Sequence, residues 1–254
     1  MPVEGFVILM AAVLGAAVGS FLNVCILRLP RDESLLHPRS RCPSCGYQLA
    51  WFDNVPVVSW LVLGGRCRRC RTPISLQYPL IELLVGLIWA AAFWYYGLDL
   101  TALAAALLGT ILLGIGVTDA RHYLIPDEYT VGGLVLGLLL ALRGGLPGLW
   151  SALLGAGVGF GILWFVAWAG SRLLGKEAMG GGDIKMMAMV GAFVGWKGVL
   201  LTIFGGSLLG TLIFIPLNIR RKALVPFGVF LAAAAAIVFV FGDRILTWYL
   251  SLVT

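Results

Sequence analysis

"LTALAAALLGTILLGIGVTD", Leu100–Asp119, decides how this chain must fold. From Leu100 to Val117 it carries no charge and no strong helix breaker, and its glycines are spaced among alanine and leucine. About 20 apolar residues in a helix cross the hydrocarbon core of a bilayer. Outside a bilayer such a run would be apolar on every side with nothing to cover it. The run ends on an aspartate, and the polar stretch "ARHYLIPDEY" follows at once.

Runs of this kind recur from end to end. We read about eight spans, near Gly5–Leu29, Tyr78–Tyr96, Leu100–Val117, Thr130–Leu142, Leu149–Leu173, Ile184–Gly195, Val199–Leu217 and Leu224–Phe241. The fourth and sixth are short for a full crossing, which suits segments packed inside protein or lining a cavity. The composition agrees: 60% of residues are hydrophobic and 12% charged, about half the charged share of a soluble domain, and mean hydropathy is +0.98. The alternating pattern of a membrane β-barrel is absent. The first run reads as a span and not a cleaved signal, having no basic residue before it. The expected fold is an all-α polytopic membrane protein with a small insert, divided into a first span (1–29), a polar insert (30–77) and a membrane domain (78–254).

Charge sets the expected orientation. With the N-terminus outside, all but Arg143, Lys197 and Arg244 of the 18 Lys and Arg residues fall in inner loops, as the positive-inside rule requires. The insert is then cytoplasmic and the C-terminus outside. The net charge of +6 follows from this bias, and because the cations flank spans, nucleic acid is not an expected partner; membrane lipid is.

Within the spans, small residues recur at helical spacing. Ala11, Gly15, Gly19 and Asn23 form one stripe, and Gly155 and Gly159 a pair; close helix packing explains both. Cys25, alone in the first span, reads as apolar filling. The other four cysteines form two pairs in the insert, Cys42-Pro-Ser-Cys45 and Cys67-Arg-Arg-Cys70. Two such pairs can wrap one tetrahedral zinc in a closed, structural site. A cytoplasmic location disfavours disulfides. An insert of about 48 residues needs a staple to fold by itself. A redox dithiol or a metal-free loop is the competing reading. His37 is read as a surface residue.

Two aspartates mark the membrane edge. Asp119 ends the third expected span, and Asp183 opens the sixth after Gly180, Gly181 and Gly182. Odd spans run inward and even spans outward, so both lie on the cytoplasmic side. Paired carboxylates in a low-dielectric site share one proton. One can then take a proton from water while the other polarises a peptide carbonyl, with no metal and no covalent intermediate. The glycines would permit unusual dihedrals and close approach of a substrate backbone. The plainer readings are that Asp183 caps its helix and that Lys185 and Arg121 neutralise the carboxylates. Glu82 is expected to pair with an inner-loop arginine or a helix N-terminus. Asp127, Glu128 and Glu177 read as loop residues.

These motifs together resemble the bacterial type IV prepilin peptidases, bifunctional leader peptidases and N-methyltransferases of the inner membrane. The likeness rests on "GSFLNV" at Gly19–Val24, "CPSCGYQLAWFDNVPVVSWL" at Cys42–Leu61, "GRCRRC" at Gly65–Cys70, "YPLIELLVG" at Tyr78–Gly86 and Asp119 followed by Ile125-Pro126-Asp127. It is completed by Gly180-Gly181-Gly182-Asp183, matching a Gly-x-Gly-Asp signature, and by "PFGVFLA" near the last span. It implies that Asp119 and Asp183 are the catalytic pair. The implied substrates are prepilins or pseudopilins with a short basic leader cut after a glycine, and the new N-terminus is methylated from S-adenosylmethionine. Val229 stands where the family often has a second proline. The methyl-donor residues are not assigned by the sequence. Two other classes compete: a transporter or channel using the aspartates as an ion site, against which Asp99 and Asp243 are isolated in outer loops, and a scaffold presenting a zinc knuckle.

Overall fold

A computed structural model describes residues 2–218 and 226–253. Arg220, Arg221, Lys222 and Leu224, the last being the expected start of the eighth span, lie outside the described residues. Eight α-helices account for most of the described residues: α1 (Pro2–Arg28), α2 (Val58–Val62), α3 (Gln77–Tyr96), α4 (Leu100–His122), α5 (Asp127–Ala141), α6 (Gly145–Leu174), α7 (Gly181–Asn218) and α8 (Phe227–Val253). The chain is a multi-pass all-α membrane protein.

Six stretches among the described residues are long and apolar enough to cross a membrane. Two of them are interrupted, which is where the count of about eight and the count of six diverge. The stretch Asp127–Leu174 contains both α5 and α6, parted by a short 3-10 turn and by Gly145 at φ 63°. Helix α7 covers the sixth and seventh expected spans in one element and bends at Gly195 (φ 67°, ψ 177°). That conformation is accessible to glycine and strained for any other residue. Elsewhere the ends are conventional: α6 stops at left-handed Gly175, whose amide bonds the Ser171 carbonyl, a common C-terminal cap.

The chain divides into two compact units, residues 1–110 and 111–254, with α4 running from one into the other. In the first, α1 lies against α3 through its small-residue stripe. A Cβ on Gly15 would sit 2.7 Å from the Trp89 side chain, and one on Gly19 would sit 2.8 Å from the Glu82 Cα. Asn23, at the foot of the stripe, donates to the Tyr78 carbonyl at 3.1 Å. Trp89 in turn donates to the Thr110 hydroxyl at 3.0 Å.

In the second unit, α7 is the central helix. Met186, Met187, Met189 and Val190 are fully buried on it. Gly155 of α6 meets Gly191 backbone to backbone, and Gly159 meets the Met187 carbonyl, with no room for a Cβ at either crossing. Gly133 and Gly137 of α5 take the Met189 and Phe193 side chains. Small residues thus set the helix crossings, as packing in lipid demands. Large apolar side chains such as Phe204, Trp164 and Leu139 remain on the outside, which is stable only in an apolar solvent.

The insert between α1 and α3 is built from two matching turns. In the first, the Cys42 amide bonds the Tyr47 carbonyl and the Gly46 amide bonds the Cys42 carbonyl; in the second, Cys67 pairs with Thr72 and Arg71 with Cys67 in the same way. A bridge closes each turn, Arg41 with Gln48 and Arg66 with Pro73. Gly46 holds the left-handed position of the first turn (φ 69°), and Arg71 holds the equivalent one (φ 59°) at a steric cost glycine does not have.

Candidate active site

Three helix ends meet in the second unit: the end of α4, the start of α7 and the start of α8. Asp119 sits in the last turn of α4 and is almost fully buried. Its Oδ2 accepts the Val229 amide at 3.2 Å, and the Gly228 amide also bonds this carboxylate. Both amides belong to the first turn of α8, where N–H groups lack the usual helical partners; the Val229 amide is shared between Asp119 and the Pro226 carbonyl at 3.3 Å. A helix N-terminus offering such groups is a ready anion site. Gly228 permits the approach, because a Cβ there would lie 2.9 Å from Asp119 Oδ2 and 2.7 Å from Ile125 Cδ1.

Asp183 is in the first turn of α7, already inside the helix that begins at Gly181. Its Oδ1 is buried and takes no hydrogen bond, so the helix-cap reading is not what the geometry displays. Asp183 follows Gly182, which packs against Ile125, and Ile125 also meets Gly228 beside Asp119 Oδ2, so the two aspartates flank one junction. Lys185 does not neutralise Asp183: the Lys185 ammonium grips Asp127 with contacts of 2.8 and 2.7 Å. No cation among the described residues pairs with either Asp119 or Asp183.

Ile125 is the wedge between these ends. Its Cβ lies 2.9 Å from where a Gly182 Cβ would be, and its Cδ1 touches the Gly228 position. Nothing in the local sequence signals that role, nor that the turn at Pro226–Val229 feeds amides to Asp119 from 110 residues away. The three glycines before Asp183 differ from expectation in one respect. None of them has a positive φ, so unusual dihedrals are not why they are there. Gly182 is small because Ile125 fills the space beside it, whereas a Cβ on Gly181 would meet nothing within 4 Å and one on Gly180 would lie 3.6 Å from Asp183 Oδ2.

In the first unit the four insert cysteines converge. Their sulfurs all lie within 4.8 Å of one another, with Cys42 to Cys70 at 3.7 Å and Cys45 to Cys67 at 4.0 Å. A tetrahedral zinc with bonds of about 2.3 Å places its sulfurs about 3.8 Å apart, so the cluster fits that ion. The Thr72 hydroxyl, 3.2 Å away, and the Thr72 amide pull the Cys70 thiol down to about 6. Beneath the cluster, buried Asp53 accepts from Arg68 Nε at 2.7 Å and from the Tyr47 hydroxyl at 3.0 Å. Burial works against the Asp53 charge, but Arg68, Tyr47 and the Ala50 amide together hold its carboxyl below the usual range. Glu82 takes the second of its expected partners: its Oε2 accepts the amide of Val57, the residue leading into α2, at 2.7 Å.

The first unit and part of the second each match a family description. Residues 13–96 match the bacterial peptidase A24 N-terminal domain, and residues 106–215 match the type IV leader peptidase family. A protein named prepilin leader peptidase/N-methyltransferase from Stutzerimonas stutzeri is 39% identical over 96% of this chain and 93% of its own length. The chain belongs to the type IV leader peptidase family. Another relative of the same name, from Pseudomonas aeruginosa, is 37% identical over 96% of this chain and 93% of its own. One from Myxococcus xanthus is 42% identical over 79% of this chain, and the match spans 60% of that protein. No solved structure matches. The part matched to the peptidase family holds Asp119 and Asp183; the part matched to the N-terminal domain holds the four cysteines and Glu82.

Proposed function

We propose that this chain is a membrane aspartic endopeptidase that removes the basic leader of type IV prepilins or pseudopilins and then N-methylates the new N-terminus. One observation carries the peptidase half. Two buried carboxylates with no cationic partner among the described residues flank one junction at the ends of α4 and α7, and Asp119 accepts an amide of α8. Buried carboxylates are paired with cations when their role is structural. The ion-pathway alternative is set aside on family membership.

In this reading Asp119 and Asp183 are the catalytic residues. We give the ionised role to Asp119, which accepts the Val229 amide and takes a proton from the attacking water. Asp183, with no donor aimed at it, holds the proton that polarises the scissile carbonyl. The protonated and ionised roles then exchange as the tetrahedral intermediate collapses. The open side of Gly180 and Gly181 is where an extended substrate backbone runs; Gly182 contributes by its fit to Ile125.

Cys42, Cys45, Cys67 and Cys70 hold a structural zinc that ties the two halves of the insert together. The methyl donor is S-adenosylmethionine, which supplies an activated methyl group when bound. Loop charge argues for the N-terminus outside and the insert on the cytoplasmic side of a bacterial inner membrane. We divide the chain into a first span (1–29), an insert (30–77) and a membrane peptidase domain (78–254) that carries both aspartates. Purified protein reconstituted with a basic-leader prepilin tests the proposal: it releases the leader, and methylates the product when the donor is added.

A further inference from the structure

The first unit holds an open-sided cavity of about 940 Å³ under the cysteine turns, between the foot of α1 and the start of α3. Pockets of roughly 300–1,000 Å³ take ligands of nucleoside size. Its membrane-side wall carries Ser20 and Asn23 from α1, and Tyr78 and Glu82 from α3. The close approach of α1 to α3 at Gly19 brings these four together. Trp60 and Tyr47 of the insert supply aromatic surface to the same space.

Two acceptors on that wall lack the partners burial normally demands. Asn23 is 1% exposed; its Nδ2 donates to the Gly19 and Tyr78 carbonyls, but its Oδ1 is buried with no hydrogen bond. Glu82 is 8% exposed. It accepts from the Val57 amide and the Ser20 hydroxyl, and no cation among the described residues pairs with it. Of the four arginines on the lining, Arg28, Arg31, Arg41 and Arg68, Arg68 holds Asp53 and Arg28 holds the Ser34 and Pro38 carbonyls at 2.7 Å. Val57 itself adopts φ 61°, ψ −49°, a conformation that a β-branched residue takes only under constraint. Strain of this kind collects where a ligand site is held in shape.

We propose that this cavity is the methyl-donor site, with Glu82 and Asn23 Oδ1 receiving the cationic sulfonium and amino end of S-adenosylmethionine and Trp60 and Tyr47 bounding its adenine. The assignment rests on the methyl-transfer reading above. A buried carboxylate with no cation, an orphaned amide oxygen and an aromatic wall in one chamber match a ligand that is cationic at one end and a flat heterocycle at the other.

The test uses full-length protein in detergent or nanodiscs and donor labelled in its methyl group. Two readouts are taken, equilibrium binding and ultraviolet crosslinking mapped by mass spectrometry. The unsubstituted protein binds the donor and crosslinks within 47–60 or 78–82. Glu82→Gln, which keeps the side chain's shape and an acceptor for the Val57 amide, weakens binding about tenfold or more, a change of about 1.4 kcal/mol, and Glu82→Asp recovers part of it. Binding unchanged in Glu82→Gln, with crosslinks elsewhere, overturns the site and leaves the methyl-transfer reading standing. Absence of donor binding by unsubstituted protein that still cleaves leaders overturns that reading and the site with it. If Glu82→Gln does not fold, the crosslink map of the unsubstituted protein decides alone.

Discussion

Asp119 Oδ2 accepts the Val229 amide at 3.2 Å, tying the end of α4 to the start of α8. The contact depends on Gly228, whose missing Cβ leaves 2.9 Å to the carboxylate oxygen and 2.7 Å to Ile125. Gly228→Ala must push either group aside. We expect leader cleavage to fall by up to about a hundredfold, the scale of loss from displacing a reacting group by about 1 Å. Turnover measured beside thermal stability checks this: a mainly catalytic loss supports the contact, and full activity argues that α8 does not position Asp119.

Gly182→Leu is expected to impair cleavage as well, through Ile125 and not through the substrate, since Ile125 occupies the space at 2.9 Å. A double variant that also shortens Ile125 to alanine should recover part of the activity. Recovery measured in the same assay separates a packing clash from a blocked substrate path.

How much of this was legible beforehand differs by kind of feature. Apolar runs such as Leu100–Val117 announce a span by length alone, and the paired cysteines announce a cluster because their spacing brings four sulfurs together whatever surrounds them. The aspartates stood out because a carboxylate at the edge of hydrocarbon needs an explanation. The helix-end contacts were not legible. Asp119 and Val229 are joined by tertiary approach across 110 residues, and a helix apolar on all sides does not disclose which face meets protein. The break at Gly195 was legible, because the sixth expected span ends there; that the chain carries on beyond it as one helical element was not. Glu82 was visible as an oddity, but its partner, Val57, is apolar in sequence and acts through its backbone.

The cysteine cluster predicts its own metal. Elemental analysis of carefully purified protein should find about one zinc per chain. Serine at Cys42, Cys45, Cys67 or Cys70 should lower that content and make residues 30–77 more sensitive to limited proteolysis while the spans stay intact. Methylation should suffer more than cleavage, because Asp119 and Asp183 lie outside the insert. Zinc-free protein with an intact insert would contradict the assignment.

The Asp53–Arg68 pair gives the insert an acid limit. The carboxyl of Asp53 is held below its usual range by Arg68, Tyr47 and the Ala50 amide, against its burial. Its contribution is therefore fully present above the unfolded carboxylate range, and is lost as pH falls through the lowered folded value. Asp53→Asn removes the charge at every pH. The variant's insert should be digested several-fold faster at neutral pH, with a smaller difference from the parent under strong acid. An equal difference at all pH values would show that the Asp53 charge is not what matters.

Asp127→Asn should affect cleavage only mildly, because Asp127 and Lys185 form an exposed pair, and such pairs contribute about 0–1 kcal/mol. The same prepilin assay gives the comparison. A loss as large as that from changing Asp119 would bring Asp127 into the reacting centre.

The most direct measurement is the cleavage rate of a basic-leader prepilin by Asp119→Asn and Asp183→Asn, each assayed in membranes at matched expression. Asparagine keeps the shape of either side chain but cannot exchange the proton. Each variant should lose cleavage by about 10²–10⁴-fold, the usual yield of a positioned acid or base, and the double variant should be little worse than either, since the pair acts as a unit. Near-parental cleavage by both single variants would contradict the account.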